Sequence, residues 1–528
     1  MIGYTTFAFF AFYFGITFVL YHLLPQKAKW CVLLLGSYVF YFISCKGHIW
    51  QIIAATVIVW LIGIWLQRLN DGFKKKKKGL PRDERKALKK KYTSYKRGVL
   101  ALGVLSTLGI LLVCKYQGFF VDTANSLFGT NAQYLKVVQP LGISFYTLSA
   151  ISYITDIYHG KFEAEKNPFR VSLFLSFMLT IVEGPITRYD QFGVQFKSCP
   201  KFDYHNFIYG AVRVVWGLIK KMIIADRAAM FVNAVFDKPN QWNALTVLAA
   251  VLLYTLQLYS EFSGIMDVMC GLGEMMGLHL PENFRRPFFA RSINEFWQRW
   301  HITLGGWLRD YIFYPISLSK AFMSLSKSAG KKFNRYYANL IPTAVALFFV
   351  WFSNGFWHGS GWKYIVYGLY YYVLMMLGMF FEPLFRKVCP ALKIDRQSNG
   401  FRRFQIARTF LIANFGMFIF RADDLPTLGK MISSIFTNPI VFNGLSKALG
   451  LSSGLDWIDC VVIALGVALL IIVGNIQEKG VDIREKIAKL PYYKKFILFM
   501  VMIFSVIIMG AYGEGYGVID LIYAKFYI

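Results

Sequence analysis

Apolar runs about as long as a bilayer is thick recur along nearly the whole of this chain, and they restrict its fold more than any other feature. A helix needs about 20 predominantly apolar residues to cross the hydrocarbon core. Of the 528 residues, 56% are hydrophobic and only 16% are charged, whereas soluble domains typically carry about 25% charged residues. The runs do not alternate polar and apolar residues as β-barrel strands do. The sequence therefore predicts an all-α, polytopic transmembrane helical bundle.

The apolar runs predict about fourteen hydrophobic helices. We expect about eleven or twelve of them to cross the membrane fully and the remainder to be short, buried or re-entrant, because irregular backbone at membrane depth is tolerated only inside protein. One glycine-rich stretch, Gly271 to Gly277, has the wrong spacing for a dinucleotide site and predicts close helix packing instead. The candidate spans lie near residues 4–23, 30–45, 48–66, 98–117, 139–158, 169–187, 207–224, 243–260, 262–279, 338–357, 362–383, 405–421, 457–474 and 495–512.

Positive charge dominates the chain, which has a formal net charge of +29. Thirteen basic residues fall between Lys74 and Arg97, directly between two apolar runs, against only two acidic residues. Short juxtamembrane basic loops mark the cytoplasmic side of a membrane protein, where they also meet anionic lipid headgroups. Since no nucleic-acid-binding motif accompanies the charge, we expect membrane lipid as the partner of this cluster and no nucleic acid.

The remaining basic loops predict an orientation in the membrane. Lys27 and Lys29 lie between the first two spans, and further basic stretches occupy residues 320–335, 386–403 and 479–495. All of these fall on the inner side if the N-terminus and the C-terminus both lie outside. We therefore expect a multi-pass cell-membrane protein with both termini outside.

Two histidines lie in polar, tryptophan-rich stretches of this otherwise apolar chain. His301 lies in NFRRPFFARSINEFWQRWHITLGGWLRDYIFY (residues 283–314), and His358 lies in SNGFWHGSGW (residues 353–362). Imidazole is one of the few groups that moves protons near neutral pH. Polar groups in or near hydrocarbon are costly, which makes them candidates for function. The other five histidines have no comparable setting.

Five segments together resemble the membrane-bound O-acyltransferase family, and most of all its bacterial branch. That branch includes the membrane subunit of alginate O-acetyltransferase, the peptidoglycan O-acetyltransferase and the D-alanyl transferase of teichoic acids. The similar segments are PLGISFYTLSAISYITDIY (140–158), EGPITRYDQF (183–192), LYSEFSGIMDVMCGLGEMMGLHLPENFRRP (258–287), FWQRWHITLGGWLRDYIFYP (296–315) and FWHGSGW (356–362).

The resemblance covers most of the chain from about residue 140 to residue 375 and implies the fold of that family in a bacterial cell membrane. We expect a single membrane-embedded domain over residues 1–528. Its parts would be peripheral N-terminal spans (1–117), a catalytic core (about 139–383), C-terminal spans (404–512) and an outer tail (513–528).

The resemblance also implies an activity. An acyl group, acetyl in the first place, would pass from a cytoplasmic thioester donor across the membrane for O-acylation of an extracellular or cell-wall polysaccharide. The donor would be acyl-CoA, with acetyl-CoA favoured by the length of the chain, or an acyl carrier protein. An extracytoplasmic SGNH-hydrolase-like transferase would be the partner, and no bound cofactor or metal is expected.

Other activities stay open at the level of the sequence. Within the family, the alternative is transfer of D-alanine from a carrier protein to teichoic acid. Outside it, a polytopic transporter or flippase for a cell-envelope precursor would also explain the hydrophobic helices and the intramembrane polar residues, although it predicts duplicated halves that this sequence lacks. A non-catalytic scaffold for a cell-surface assembly is the third alternative.

Acyl transfer from a thioester to a hydroxyl requires a base for the hydroxyl proton and donors for the developing oxyanion. His358, at a helix end toward the outer side, is the candidate base, with its imidazole exposed to a tunnel; the alternative is a helix cap. Asn354 lies one turn earlier on the same face and could donate a hydrogen bond. His301 is predicted at the inner mouth of the tunnel, as a positioning or second catalytic residue. The alternative for His301 is an interfacial amphipathic helix with an aromatic belt.

Further side chains are candidates for substrate binding or for relay of the acyl group. The tail LIYAKFYI (521–528) resembles the short Phe-x-Tyr-type motif of the branch, with Tyr523 as a phenol that could carry the acyl group as an aryl ester; the alternative is an aromatic anchor. Basic residues beside His301 would hold the phosphates of the donor. The candidate substrate-binding residues are Asn354, Trp357, Trp300, Arg299, Arg309, Asp310 and Asp267.

Overall fold

The computed structural model describes residues 4–135, 137–438 and 455–512. All regular structure in these ranges is helical, which confirms the predicted all-α class. In chain order the helices are α1 (Phe9–Leu23), α2 (Lys29–Ser44), α3 (Trp50–Lys76), α4 (Arg82–Phe128), α5 (Ile143–His159), α6 (Pro168–Ser176), α7 (Tyr204–Leu218), α8 (Asp226–Phe236), α9 (Ala244–Met275), α10 (Ile293–Arg299), α11 (Ile302–Leu308), α12 (Tyr314–Ser317), α13 (Lys320–Lys332), α14 (Arg335–His358), α15 (Trp362–Ala391), α16 (Asn399–Arg421), α17 (Leu425–Thr437), α18 (Trp457–Glu478), α19 (Ile483–Ala488) and α20 (Tyr492–Met509).

Seven helices of the described ranges are long and apolar enough to cross a membrane, namely α3, α4, α9, α14, α15, α18 and α20. The protein is therefore a multi-pass membrane protein, as predicted. The number of such helices is lower than the eleven or twelve full spans that the sequence led us to expect. Helices α1 and α2 are apolar but shorter than a full span.

Some of the predicted spans have different boundaries in the structure, and this explains part of the difference in the number of spans. The spans predicted at 243–260 and 262–279 form one continuous helix, the 32-residue α9. Close to the predicted boundary, the missing side chain of Gly264 lets α9 approach a neighbouring backbone: a Cβ there would lie 2.8 Å from the carbonyl oxygen of Gly217. The span predicted at 169–187 shortens to α6, since the chain turns between residues 177 and 184.

The basic cluster between Lys74 and Arg97 is helical and not the loop that we predicted. Helix α3 continues to Lys76, and α4 begins at Arg82, so only a short turn containing Gly79 separates them. Gly79 has a φ of +77°, a left-handed conformation that glycine adopts without strain. Lysine and arginine are good helix formers, so the apolar helices extend into the charged segment.

The described chain divides into two compact units, each built from segments that are distant in sequence. The first comprises Met1–Val214 and Ile265–Pro281, and the second comprises Val215–Gly264 and Glu282–Ile519, apart from the residues outside the described ranges. The predicted single domain and its four parts stay a prediction. The outer tail predicted at 513–528 lies outside the described residues.

In the first unit, helix α5 is buried along nearly its whole length and packs against α3, α4 and α6. Glycines allow the closest of these contacts. A Cβ on Gly103 of α4 would lie 2.8 Å from Ile62 of α3 and 2.9 Å from Ile154 of α5. Gly142, immediately before α5, has a φ of +70°, and a Cβ there would lie 2.0 Å from the carbonyl oxygen of Ile181. Only glycine fits at this position immediately before α5.

In the second unit, a buried ion pair joins three helices. Arg227 of α8 pairs with Asp459 of α18, and another nitrogen of its guanidinium donates to the carbonyl oxygen of Met509 in α20 at 2.7 Å. Both charged side chains are buried, so each would be costly without the other. The pi-helical turn Ile219–Ala225, just before α8, packs its isoleucines against α18 and α20. These contacts fix the C-terminal spans against the middle of the chain.

Close packing of α7 on α9 in the first unit gives a test of the fold. A Cβ on Gly271 would lie 2.6 Å from the carbonyl oxygen of Gly210, and one on Gly210 would lie 2.4 Å from that of Gly271. Since backbone has to move, we expect Gly271→Ala to destabilise the protein by about 1–3 kcal/mol and to lower its unfolding temperature in detergent. Gly109→Ala is the matched control, because nothing lies within 4 Å of its Cβ position. Equal unfolding temperatures for the two variants would contradict the close packing.

Candidate functional site: two buried histidines in the second unit

The FWHGSGW segment ends one long helix and begins the next. Helix α14 ends at His358 and α15 begins at Trp362. Space requires glycine at two positions here: a Cβ on Gly359 of the turn would lie 2.1 Å from the ring of Tyr364, and one on Gly355 of α14 would lie 2.2 Å from its carbonyl oxygen. The first turn of α15 therefore lies directly against the last turns of α14, and this contact fixes the position of His358.

His301 lies at the joint between two short helices, α10 and α11. Its backbone has φ 47° and ψ 50°, a left-handed conformation that costs a non-glycine residue about 1–2 kcal/mol. Two backbone hydrogen bonds hold the joint, from the amide of Arg285 to the carbonyl of Arg299 at 2.8 Å and from the amide of Ile302 to the carbonyl of Asn283 at 3.0 Å. The alternative of one amphipathic helix through His301 is therefore wrong, because α10 ends at Arg299 and α11 begins at Ile302.

The structure brings the two imidazoles together. The ring centroids of His301 and His358 lie 6.3 Å apart, and their residues are 1% and 3% exposed. The ring of Phe262 from α9 lies edge-on at 4.9 Å from His301, and the ring of Trp357 lies at 5.6 Å. We predicted His301 at the inner mouth of a tunnel and His358 at a helix end toward the outer side. They form one buried site instead.

Aromatic side chains surround His358. Tyr367 of α15 and Phe420 of α16 meet its ring edge-on, at centroid distances of 5.7 Å and 5.3 Å. The expectation of a tunnel-exposed imidazole with little packing is therefore wrong. The apolar shell gives the site a low local polarity, in which charge–dipole interactions are stronger than in water.

Polar atoms are concentrated inside this shell. The Nδ1 atom of His301 lies 3.1 Å from Oδ1 of Asn283. Three further buried atoms, Nε2 of His301, Nδ2 of Asn283 and Oδ1 of Asn354, have no hydrogen-bond partner among the described residues. Leaving a buried polar group unsatisfied costs about 1–3 kcal/mol, so such groups call for an explanation. A polar ligand bound between the aromatic rings would satisfy them.

Burial also determines the charge of His301. Its enclosure lowers the pKa of the imidazole to about 3, so that the ring is neutral at pH 7. A neutral imidazole carries one N–H donor and one bare nitrogen that accepts a hydrogen bond or a proton. The buried residues therefore provide an acceptor nitrogen and amide groups together.

Comparison with known proteins identifies the family. The sequence profile of the membrane-bound O-acyltransferase family matches residues 165–330. A probable alginate O-acetylase of Pseudomonas putida is 33% identical over 430 residues, which are 79% of this chain and 77% of that protein. The chain belongs to the membrane-bound O-acyltransferase family.

Two further relatives belong to the same bacterial branch. A peptidoglycan O-acetyltransferase of Helicobacter pylori is 30% identical over 67% of this chain and 66% of that protein. A teichoic acid D-alanyltransferase of Bacillus subtilis is 30% identical over 54% of this chain and 69% of that protein. This protein is thus a membrane O-acyltransferase, as the sequence motifs predicted, and the transporter and scaffold interpretations are set aside.

The arginines predicted to hold the donor of this O-acyltransferase differ in their surroundings. Arg299 lies between two carboxylates, Glu295 and Glu478, at 2.7 Å from each. Glu478, the last residue of α18, also binds Arg286 at 2.6 Å. Arg309 has a side chain that is 60% exposed and pairs with its neighbour Asp310 at 2.8 Å. Of the two arginines, Arg309 has the more exposed side chain, since that of Arg299 is 22% exposed.

The remaining predicted residues divide between the site and its support. Trp357 lies beside His301, and Asn354 lies one helical turn before His358 on α14. Trp300 packs among aromatic rings, with Phe284 at 5.1 Å and Phe296 at 5.5 Å. Tyr523 lies outside the described residues.

Asp267 belongs to the first unit. There it pairs with Arg213 at 2.8 Å, and Arg213 also binds Glu274 at 2.9 Å. An aspartate held in this way has a structural partner within its own unit.

Sequence reasoning missed Asn283 and a group of buried charges in the second unit. Lys221 pairs with Asp226 and lies 3.8 Å from Glu261. Lys220 donates to Ser263 at 2.8 Å. The signal was present, since two adjacent lysines lie within the apolar run at 207–224 and a glutamate separates the runs at 243–260 and 262–279. Intramembrane ionisable residues are candidates for function by default.

The environments of the two arginines predict different effects of their removal. We expect Arg309→Ala to weaken binding of acetyl-CoA, more strongly at low salt because exposed charges are screened. Arg299→Ala should instead lower stability by about 1 kcal/mol, as expected for a partly exposed ion-pair network. Calorimetric titration with acetyl-CoA and thermal unfolding in detergent measure the two effects, with Arg403→Ala on α16 as an exposed control. Unchanged donor affinity in Arg309→Ala would leave that residue as a surface or lipid contact.

Proposed function

We propose that this O-acyltransferase transfers an acetyl group from cytoplasmic acetyl-CoA to the outer face of the bacterial cell membrane, for O-acetylation of an extracellular or cell-wall polysaccharide. The observation that carries this proposal is the pairing of His301 and His358 in one buried site. Two of the relatives described above carry O-acetylation in their names, for alginate and for peptidoglycan. The orientation with both termini outside rests on the distribution of the basic segments.

His358 acts as the base in this proposal. It takes the proton of the acceptor hydroxyl as the oxygen forms a C–O bond to the thioester carbonyl. The C–S bond then breaks, and the thiolate of CoA takes up the proton from the imidazolium. Asn354 donates an amide hydrogen to the developing oxyanion, and the bare nitrogen of His301 orients the acceptor hydroxyl. The aromatic shell excludes water, which would otherwise hydrolyse the thioester.

D-alanyl transfer is the second candidate, because a teichoic acid D-alanyltransferase is among the relatives. The same proton transfers serve both reactions, and only the donor differs: a D-alanyl thioester on a carrier protein in place of acetyl-CoA. Transfer by proteoliposomes distinguishes the two directly. Label from acetyl-CoA should reach the acceptor, and label from a D-alanyl carrier should not.

A relay on the outer side completes the proposal. The acceptor hydroxyl of the transfer from the thioester is the phenol of Tyr523, which becomes an aryl ester as CoA leaves; a serine of an extracytoplasmic SGNH-hydrolase-like transferase then takes the acyl group and releases the phenol. A phenolate is a better leaving group than an alkoxide, so such an ester favours onward transfer. The partner then esterifies the polysaccharide.

Replacement of His358 tests the base. We expect His358→Ala to lower acetyl transfer by about 10²–10⁴-fold, the usual contribution of a positioned base, measured with labelled acetyl-CoA in proteoliposomes. Since the imidazole is enclosed by rings, His358→Gln serves as a variant of similar volume and should lose as much activity. His205→Ala, an exposed histidine of the first unit, is the control. Transfer near the wild-type rate in a folded His358→Gln protein would exclude the base role.

Removal of one hydroxyl tests the relay. Tyr523→Phe keeps an aromatic ring for anchoring and removes the oxygen that would form the ester, so we expect acylation of the cell-surface polysaccharide to fall to background. Tyr527→Phe, four residues further along the same tail, should leave acylation unchanged. Analysis of O-acyl groups on polysaccharide isolated from the two strains measures both effects. Full acylation in Tyr523→Phe would exclude the relay and leave the tail only an anchoring role.

A further inference from the structure

A single oxygen atom organises the chain around His301. Oδ1 of Asn283 lies 3.0 Å from the backbone nitrogen of Thr303, 2.9 Å from its hydroxyl oxygen and 3.1 Å from Nδ1 of His301. The backbone carbonyl of Asn283 accepts a fourth hydrogen bond, from the amide of Ile302. Asn283 is 1% exposed. This one residue therefore binds three consecutive residues, from His301 to Thr303, across 18 positions of sequence.

These contacts determine the orientation of the Asn283 amide. The backbone nitrogen of Thr303 carries a hydrogen and can only donate, so the atom that faces it is the carbonyl oxygen of Asn283 and not the NH₂ group. A carbonyl oxygen only accepts. The ring nitrogen of His301 that faces the same oxygen, Nδ1, must therefore carry the hydrogen. In a neutral imidazole the other nitrogen, Nε2, is then bare.

We propose that Asn283 is a positioning residue, which fixes His301 as the Nδ1–H tautomer and so keeps Nε2 available as a hydrogen-bond or proton acceptor in the site shared with His358. Nε2 of His301 is buried and makes no hydrogen bond within the described residues, as an acceptor reserved for substrate would be. The functional role of this tautomer rests on the proposed acyl transfer, whereas the tautomer itself follows from the contacts alone.

The choice of an amide has a physical reason. A carboxylate in this position would accept the same three hydrogen bonds, but its charge would favour the imidazolium and raise the pKa of His301. The neutral amide holds the ring in orientation and tautomer without charging it. Asn283 also substitutes for a helix cap: His301, at the N-cap position of α11, makes no side-chain cap, and the amide of Thr303 is satisfied by Asn283 instead.

Solid-state NMR of the full-length protein in lipid, with nitrogen-15-labelled histidine, tests the tautomer without any substrate. The signals lost on changing His301→Gln belong to His301. We expect them to contain one protonated and one bare ring nitrogen, with Nδ1 protonated, and we expect Asn283→Ala to give a mixture of tautomers. A wild-type ring protonated at Nε2 would overturn the proposal.

Kinetics in proteoliposomes test whether the positioning matters for transfer. Loss of a partner that orients a functional histidine typically costs about 10–100-fold, so Asn283→Ala should lower kcat by that factor and leave KM for acetyl-CoA within about twofold. An unchanged kcat in folded Asn283→Ala would overturn the proposal. If the wild-type protein itself transfers neither acetyl nor D-alanyl groups, the proposed function fails, and the NMR result still decides the tautomer.

If Asn283→Ala does not fold, the conservative variant Asn283→Asp still tests the proposal. It retains all three acceptor contacts, so the Nδ1–H bond should survive while the pKa of His301, followed by NMR, rises by about 1–3 units. The matched control is Asn475→Asp, which adds the same charge at an exposed position of the second unit and should leave this pKa unchanged. An equal pKa of His301 in Asn283→Asp and wild type would show that residue 283 does not act through the imidazole.

Discussion

The site depends on a short antiparallel pairing of residues 283–286 with residues 299–302. An isolated bridge between Phe284 and Trp300, with a backbone hydrogen bond on each side, closes this pairing. It compensates the left-handed backbone of His301, which would otherwise be unfavourable. Without it, α10 and α11 would have no reason to break at the histidine, and the imidazole would not lie beside His358 at the end of α14.

Energetics and function are connected through the buried polar atoms. An aromatic shell gains stability by excluding water, but it makes each unsatisfied donor or acceptor inside it costly. Asn283 satisfies three groups at once, whereas Nε2 of His301, Nδ2 of Asn283 and Oδ1 of Asn354 have no hydrogen-bond partner among the described residues. Burial also keeps His301 uncharged at pH 7. The same low polarity strengthens the hydrogen bonds that these atoms would make with a polar substrate.

The sequence predicted the features that arise from local pattern. Apolar periodicity identified the all-α membrane class, and the motifs around His301 and His358 identified the family. Prediction from the sequence failed where contacts between residues that are distant in the sequence determine the local structure. The predicted spans 243–260 and 262–279, either side of Glu261, form one helix, and Gly264 lets that helix pack on a neighbouring backbone. The break at His301 depends on Asn283, which is 18 residues away, and no local propensity marks either the break or the meeting of the two imidazoles.

Electron cryo-microscopy of the protein in lipid nanodiscs with a non-hydrolysable acetyl-CoA analogue tests the central claim most directly. The claim is that His301 and His358 form one site around the reacting acyl group. We predict that the acyl carbonyl lies beside both imidazoles, within about 3–4 Å of at least one ring nitrogen, with the His301–Asn283 contact intact. An analogue whose acyl group binds away from both histidines, or imidazoles that are separated in the complex, would contradict the account.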